Sequence, residues 1–285
     1  MDFHRPTETS EALRLLADDP DSRPLAGGAS LVAMMNARLV EPTGLVSLAG
    51  IARLAGISET AGGVLSIGAM TRHCETASDM RLAGGRSILR RAASRIANPV
   101  VRNMGTIGGS IALADPAADY PAALVALNAE IVAAGIAGER HIAARDFFTG
   151  WYETALKPGE MVIAVLIPRT PAGSVGVYRK LARVAGDFAI VSVALLLGAE
   201  NGRCTHLQVA VGGSGPAPLR LPQFEEKLVG RPLDDLDAAA LGRALAWISD
   251  PVDDVRASAD YRRRVIPRMV EDAYRRAVHK HGAQR

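Results

Sequence analysis

The sequence predicts an α+β protein built from three small units, and three observations carry that prediction. Short apolar runs of strand length alternate with amphipathic stretches over the first 170 or so residues. The turn-rich segment Arg169-Thr170-Pro171-Ala172-Gly173-Ser174 then interrupts the pattern. Beyond it, strand-like runs give way from about Asp237 to a mostly helical tail. At 285 residues the chain has room for two or three units, each with its own core.

The first unit covers residues 1–55. Thr9-Ser10-Glu11-Ala12-Leu13-Arg14-Leu15-Leu16 reads as a capped amphipathic helix ending before Asp19-Pro20. Arg23-Pro24-Leu25-Ala26 is a short strand, Ser30 to Arg38 resumes helical character, and Gly44 to Leu48 is a second strand. The second unit, residues 56–174, opens with a strand at Val64–Ala69. Helical stretches at 73–82 and 86–96 follow, then a helix near Tyr120–Leu127 and strands at Glu130–Ala134 and Met161–Ile167. Asn98-Pro99 reads as turn punctuation, and Pro168 closes the last strand. The third unit, residues 175–285, has strands at Val175–Leu181, Ala189–Gly198 and Leu207–Val211. Gly212-Gly213-Ser214-Gly215-Pro216 breaks the pattern before a helix bundle.

Composition excludes several functions. Aromatics make up only 4% of the residues, too few for a base-stacking platform, and the net charge of +3 is close to balance despite a sequence pI of about 9.1. No nucleic-acid partner is expected. Cys74 and Cys204 are far apart and lack CxxC spacing, so they are expected to be reduced thiols and not ligands of zinc or an iron–sulfur cluster. Met1-Asp2-Phe3-His4-Arg5-Pro6 lacks the order of a signal peptide, and no apolar run approaches the ~20 residues of a membrane span. A cytoplasmic protein is expected. Rossmann, Walker A and Gly-x-Ser-x-Gly signatures are absent.

Two glycine-centred segments remain, Leu25-Ala26-Gly27-Gly28-Ala29-Ser30 and Thr106-Ile107-Gly108-Gly109-Ser110. Backbone of this kind turns sharply and can aim several N–H groups at one anion, so two such segments suggest a ligand with a pyrophosphate. Gly212-Gly213 reads as a plain tight turn. Asp119, just before Tyr120-Pro121, fits either a helix cap or an acceptor for a ribose diol.

Together, Ala26-Gly27-Gly28-x-Ser30-Leu31, Asn103-x-Gly105-Thr106-Ile107-Gly108-Gly109-Ser110 and Ala114-Asp115-Pro116-x-x-Asp119-x-Pro121 carry a resemblance. The chain resembles the FAD-binding medium subunit of molybdenum hydroxylases, the family of carbon monoxide dehydrogenase medium chains and xanthine dehydrogenase flavin subunits. The likeness continues through Pro158-Gly159-Glu160, Tyr178-Arg179-Lys180-Leu181-Ala182-Arg183, Gly186-Asp187-Phe188-Ala189 and Tyr261-Arg262-Arg263, in order along nearly the whole chain.

The resemblance implies an FAD-binding domain of the vanillyl-alcohol-oxidase or PCMH type over 1–174 and a smaller C-terminal domain over 175–285. It implies that Leu25, Ala26, Gly27, Gly28, Ala29, Ser30 and Leu31 wrap the FAD pyrophosphate. Thr106, Ile107, Gly108, Gly109 and Ser110 would run along the flavin side, with Asp119 toward the ribose or adenosine. Lys180 would lie near the flavin ring, where a cation stabilises charge on reduced flavin. Ile96 and Val162 match apolar contact positions, or are ordinary core. Ala29 stands where the family often has a polar residue, and no cysteine-rich insertion is present.

The implied role is electron transfer, with no catalytic side chain and no metal on this chain. Molybdopterin and [2Fe-2S] clusters would sit on a large and a small partner subunit, in a dimer of heterotrimers. The external acceptor would be NAD, quinone or O2. The rivals are a self-contained FAD oxidoreductase, for which His73 and Tyr152 are weak acid–base candidates, and a nucleotide-binding partner without turnover. Arg183 and Asp187 read as a surface ion pair. The arginines between Arg262 and Arg276 read as a solvated rim, or as a docking surface for an acidic partner.

Overall fold

Apolar faces on two sheets and their helices have to be covered, and covering them stacks the chain in five layers. The computed structural model describes residues 1–283. The first unit runs β1 (Asp2–His4), α1 (Thr9–Asp18), β2 (Arg23–Leu25), α2 (Leu31–Asn36) and β3 (Gly44–Ser47). β3 lies between β1 and β2 and is parallel to both. Ala12, Leu13 and Leu16 share one buried face of α1. The side-chain cap expected for this helix is not made, because Thr9 is itself helical and buried, and Glu8 precedes it without a capping bond.

The second unit contributes β4 (Ile57–Glu59), β5 (Leu65–Gly68), α3 (His73–Ser78), α4 (Ser87–Ser94), α5 (Pro99–Met104), α6 (Ile107–Leu113) and α7 (Tyr120–Ala126). It continues with β6 (Glu130–Gly135), β7 (Gly138–Ala143), α8 (Ala144–Phe147), β8 (Phe148–Gly150), β9 (Glu153–Thr154) and β10 (Met161–Ile167). Five of these strands form an antiparallel sheet in the order β4-β5-β10-β6-β7, while β8 and β9 make a separate hairpin. Along β10, Met161 and Ile163 face the α1 side, and Val162, Val165 and Ile167 face the central core. The register with β6 shifts between Val162 and Ala164, a bulge that puts Ile163 and Ala164 on the same side.

The third unit has β11 (Val175–Leu181), β12 (Val191–Glu200), β13 (Arg203–Gly212), β14 (Leu219–Arg220), α9 (Pro222–Glu226), α10 (Ala238–Ile248) and α11 (Ala259–Gly282). The four strands pair in sequence order, all antiparallel. Val193, Leu195, Val209 and Val211 face α10 and α11, whereas Tyr178, Ala194, Leu196 and Ala210 face the central core beside α4 and α7. The layers are thus α1 with the small sheet, the five-stranded sheet, the helices α4, α6 and α7, the four-stranded sheet, and α10 with α11. The expected C-terminal bundle is a helix pair resting on a sheet.

Three further expectations are corrected. Asn98-Pro99 starts α5: the Asn98 side chain accepts from the Val101 N–H at 3.0 Å, and Pro99 is the first helical residue. The segment Ile107–Leu113 is helix where a glycine turn was expected. The arginines of α11 are not a uniform solvated rim, since Arg262 is buried and donates to the Ile190 and Gly213 carbonyls and to Asp254. Arg263, Arg275 and Arg276 pair on the surface with Asp260, Glu271 and Asp272. Cys74 and Cys204 are both free thiols.

Candidate functional site

The two glycine segments meet in space. A Cβ on Gly27 would lie 2.0 Å from the Met104 carbonyl oxygen, so only glycine lets the loop after β2 rest on the end of α5. Gly28 follows with φ +72°, a left-handed conformation that reverses the chain before α2. A Cβ on Gly109 would touch that of Ala26 at 3.4 Å, which brings α6 against the same loop.

The two segments differ in their hydrogen bonding. In the second, the Ile107 N–H donates to the Thr71 carbonyl at 3.0 Å and the Gly108 N–H to the Ala69 carbonyl at 2.8 Å. Gly109 donates to the Thr106 hydroxyl at 3.1 Å, and Ser110 to the Thr106 carbonyl at 3.0 Å. The expected open anion cradle is instead a capped helix start whose amides are engaged. A chain of contacts fixes it: the bulge carbonyl of Ile163 holds the Ala69 N–H at 2.9 Å, and a Cβ on Gly108 would lie 2.5 Å from the Ala69 methyl.

The first segment does keep its donors open. Among the described residues, the N–H groups of Gly27, Gly28, Ala29 and Ser30 form no hydrogen bond, and neither do the Ser30 and Ser110 hydroxyls. Consecutive amides around a left-handed residue form an anion-binding nest. This donor set fits a diphosphate, with Ser110 adding a hydroxyl from the neighbouring helix. Leu31 is half-buried at the start of α2.

Asp119 is 5% exposed, and its oxygens are occupied by the protein. Oδ1 accepts from the Tyr178 hydroxyl at 2.6 Å and Oδ2 from the Lys180 ammonium at 3.0 Å. Lys180 also donates to the Arg95 carbonyl at 2.8 Å. Asp119 precedes α7 but makes no capping bond, which removes that alternative. Burial pushes its carboxyl up, and the Lys180 charge and the Tyr178 hydroxyl pull against that shift. Burial and the Asp119 charge likewise push the Tyr178 phenol well up, so it stays protonated and donates. Tyr178 and Lys180 lie two apart on β11, hence on the same face, and that spacing was available in the sequence.

Ile96 is half-buried beside Arg95 and packs against the central core. Val162 lies within that core, where the packing alternative is sufficient to account for it. His73 is buried, with Nδ1 3.0 Å from the Tyr120 hydroxyl; burial first and Arg102 second hold it at about 4, so it is neutral at pH 7. The Tyr152 hydroxyl donates to Asp115 at 3.3 Å, and burial followed by the Asp115 charge raises its phenol. Neither side chain is poised as an acid or base at neutral pH. Arg183 and Asp187 form a partly exposed ion pair at 3.7 Å. Among the described residues no cluster of His, Cys, Asp or Glu could hold a metal ion, and no helix is long and apolar enough to cross a membrane.

Comparison with known proteins places this geometry. Residues 1–170 match the family described as the FAD binding domain in molybdopterin dehydrogenase, and residues 176–277 match the CO dehydrogenase flavoprotein C-terminal domain. The carbon monoxide dehydrogenase medium chain of Afipia carboxidovorans is 40% identical, over 97% of this chain and 96% of that one. The 6-hydroxypseudooxynicotine dehydrogenase complex subunit alpha of Paenarthrobacter nicotinovorans is 36% identical, over 98% and 95%. A chain in the solved carbon monoxide dehydrogenase of Hydrogenophaga pseudoflava superposes with a TM-score of 0.94, at 35% identity over 98% of this chain and 97% of that chain.

Proposed function

Because the chain belongs to the family of FAD-binding medium subunits of molybdenum hydroxylases, we propose that it is the station through which electrons leave such a complex. The family assigns it an FAD site and the role of an oxidoreductase subunit. Bound FAD would supply the capacity to collect single electrons and release them as a pair. The donor would be a small [2Fe-2S] subunit fed by a large molybdopterin subunit, and the acceptor an external NAD, quinone or O2.

The observation that carries this proposal is the run of uncommitted amides from Gly27 to Ser30. These amides and the Ser30 and Ser110 hydroxyls would hold the diphosphate. Leu25, Ala26, Leu31 and the backbone from Thr106 to Gly109 would shape the groove, with Ile96 as an apolar contact. Lys180 would present its positive charge toward the flavin, held in place by Asp119 and the Arg95 carbonyl. Asp119 then serves the cofactor through Lys180 and not through the ribose. A domain boundary between 174 and 175, with assembly as a dimer of heterotrimers, fits the same proposal.

The test is purification followed by absorbance spectroscopy and FAD titration. A yellow protein with one FAD per chain, nearly inactive alone and active once joined to its large and small subunits, is expected. Colourless protein that shows no heat on titration with FAD would overturn the proposal. Turnover of a small substrate by the isolated chain would favour the self-contained oxidoreductase.

A further inference from the structure

We propose that the outer edge of β11, between α4 and α11, binds a phosphate-type oxyanion through Arg91, Arg179, Arg276 and Lys280. The proposal is independent of the electron-transfer role above. β11 is the outermost strand of its sheet, so one side of its backbone has no strand to pair with. Helices α4 and α11 lie on opposite faces of that strand. The Ser87 hydroxyl at the start of α4 donates to the Gly176 carbonyl at 3.4 Å, and Lys180 donates to the Arg95 carbonyl just past its end at 2.8 Å. α4 therefore runs in the direction of β11. On α11, Lys280 donates to the same Gly176 carbonyl at 3.0 Å, and Asp272 lies beside Arg179, so α11 runs the other way. Arg91 and Arg276 sit midway along these spans, which sets them at the level of Tyr178 on either face of the strand.

The four cations are short of negative charge. Among the described residues Asp272 is the one carboxylate paired with any of them, and Arg179 and Arg276 share it at 2.7 and 3.0 Å. Arg179 Nε is buried and Asp272 lies off the line of its N–H, so that donor is unsatisfied. Burial first, then the Arg91 and Arg276 charges, push the Lys280 ammonium down to about 8, which shows that cations from both helices act on one another here. The backbone adds a donor. The Gly176 carbonyl points away from β12, and antiparallel alternation turns the Tyr178 N–H the same way. That N–H forms no hydrogen bond to a side chain or to backbone outside its sheet. Guanidinium, ammonium and amide donors converging on one gap suit a multivalent oxyanion, which accepts several charge-assisted bonds at once. A peptide strand does not fit, because Ser87 and Lys280 already occupy the Gly176 carbonyl that it would need.

The experiment titrates inorganic phosphate into the full chain by calorimetry and follows its melting temperature, with sodium chloride at matched ionic strength as the reference. Phosphate is expected to raise the melting temperature above that reference, as a ligand of the folded state does. An Arg91→Gln/Lys280→Gln variant should weaken phosphate binding about tenfold or more through two lost charge-assisted bonds. It should melt in chloride as the wild type does, since Arg91 is exposed and glutamine at 280 can still donate to the Gly176 carbonyl. Arg91→Gln alone gives the same reading in smaller measure should the double variant not fold. Arg275→Gln, on an exposed arginine paired with Glu271, is the control and should bind as the wild type does. Binding of adenosine monophosphate that the double variant also loses would extend the site to a phosphate group carried on a larger molecule.

Equal stabilisation by phosphate and chloride would reduce the effect to screening of surface charge and overturn the assignment. Phosphate binding that the double variant keeps in full would also overturn it, and would give the anion to the open amides of Gly27–Ser30, which neither substitution touches. Equal weakening by Arg275→Gln would show a diffuse field in place of a site. None of these results bears on FAD content, so the electron-transfer role stands or falls separately.

Discussion

At the scale of single residues, buried charge separates side chains that serve the fold from those available to a ligand. Asp119 and Lys180 are both buried and bonded to each other, and Tyr178 occupies the remaining carboxylate oxygen. Asp119→Asn removes the charge that compensates Lys180, a change that costs about 3–5 kcal/mol in a buried pair. The apo chain is therefore expected to unfold at markedly lower urea concentration. If Asp119 served only the cofactor, the apo midpoint would stay put and only FAD affinity would fall. His73 gives a pH signature. Its folded value of about 4 lies below the ordinary 6.5, so between those values the unfolded chain binds a proton that the folded chain does not. Stability is complete above pH 6.5 and falls as the pH drops toward 4, by about 3 kcal/mol in all. Denaturation midpoints measured across that window should lose this slope in His73→Gln. These roles were only half legible in the sequence: Lys180 and Asp119 stood out, but a carboxylate that bonds inward looks the same in one dimension as one that faces a sugar.

At the scale of elements, α6 shows how a glycine-rich stretch can serve a helix. Thr106 caps it, and Gly108 lets it lie directly on Ala69. Thr106→Ala should destabilise the chain by about 1 kcal/mol, with Thr106→Ser close to wild type, as read by urea denaturation. Equal losses in both variants would show that the methyl group matters and not the cap. Strands with strong apolar runs, such as β10 and β12, were legible because burial on both faces leaves few other solutions. α5 and α6 were not, because Pro99, Gly108 and Gly109 carry turn propensity that tertiary contacts override. β1 and β7 were missed for another reason: one is three residues long, and the other is mostly polar at a sheet edge.

At the scale of the whole molecule, the layers are tied by a few buried polar links. Arg262 joins α11 to the Ile190 and Gly213 carbonyls and to Asp254. Burial alone would raise the Asp254 carboxyl, but the Arg256 and Ala257 amides and the Arg262 guanidinium hold it at about 2. Arg262→Met should cost about 3–5 kcal/mol by stranding these acceptors, measured as a lowered denaturation midpoint with FAD content unchanged in the surviving folded fraction. An unchanged midpoint would mean that the α10–α11 layer holds on packing alone. The succession of strands and helices was largely legible in the sequence, while the sharing of one core by elements on either side of residues 169–174 was not. The helices α4 and α7 pack on that core together with Tyr178, Leu196 and Ala210 of the following sheet. It follows that the chain is not two parcels on a string. Trypsin nicking at the exposed Arg169 should leave fragments that co-elute under native conditions, and a gene cut at that point should yield an insoluble piece unless both halves are made in the same cell.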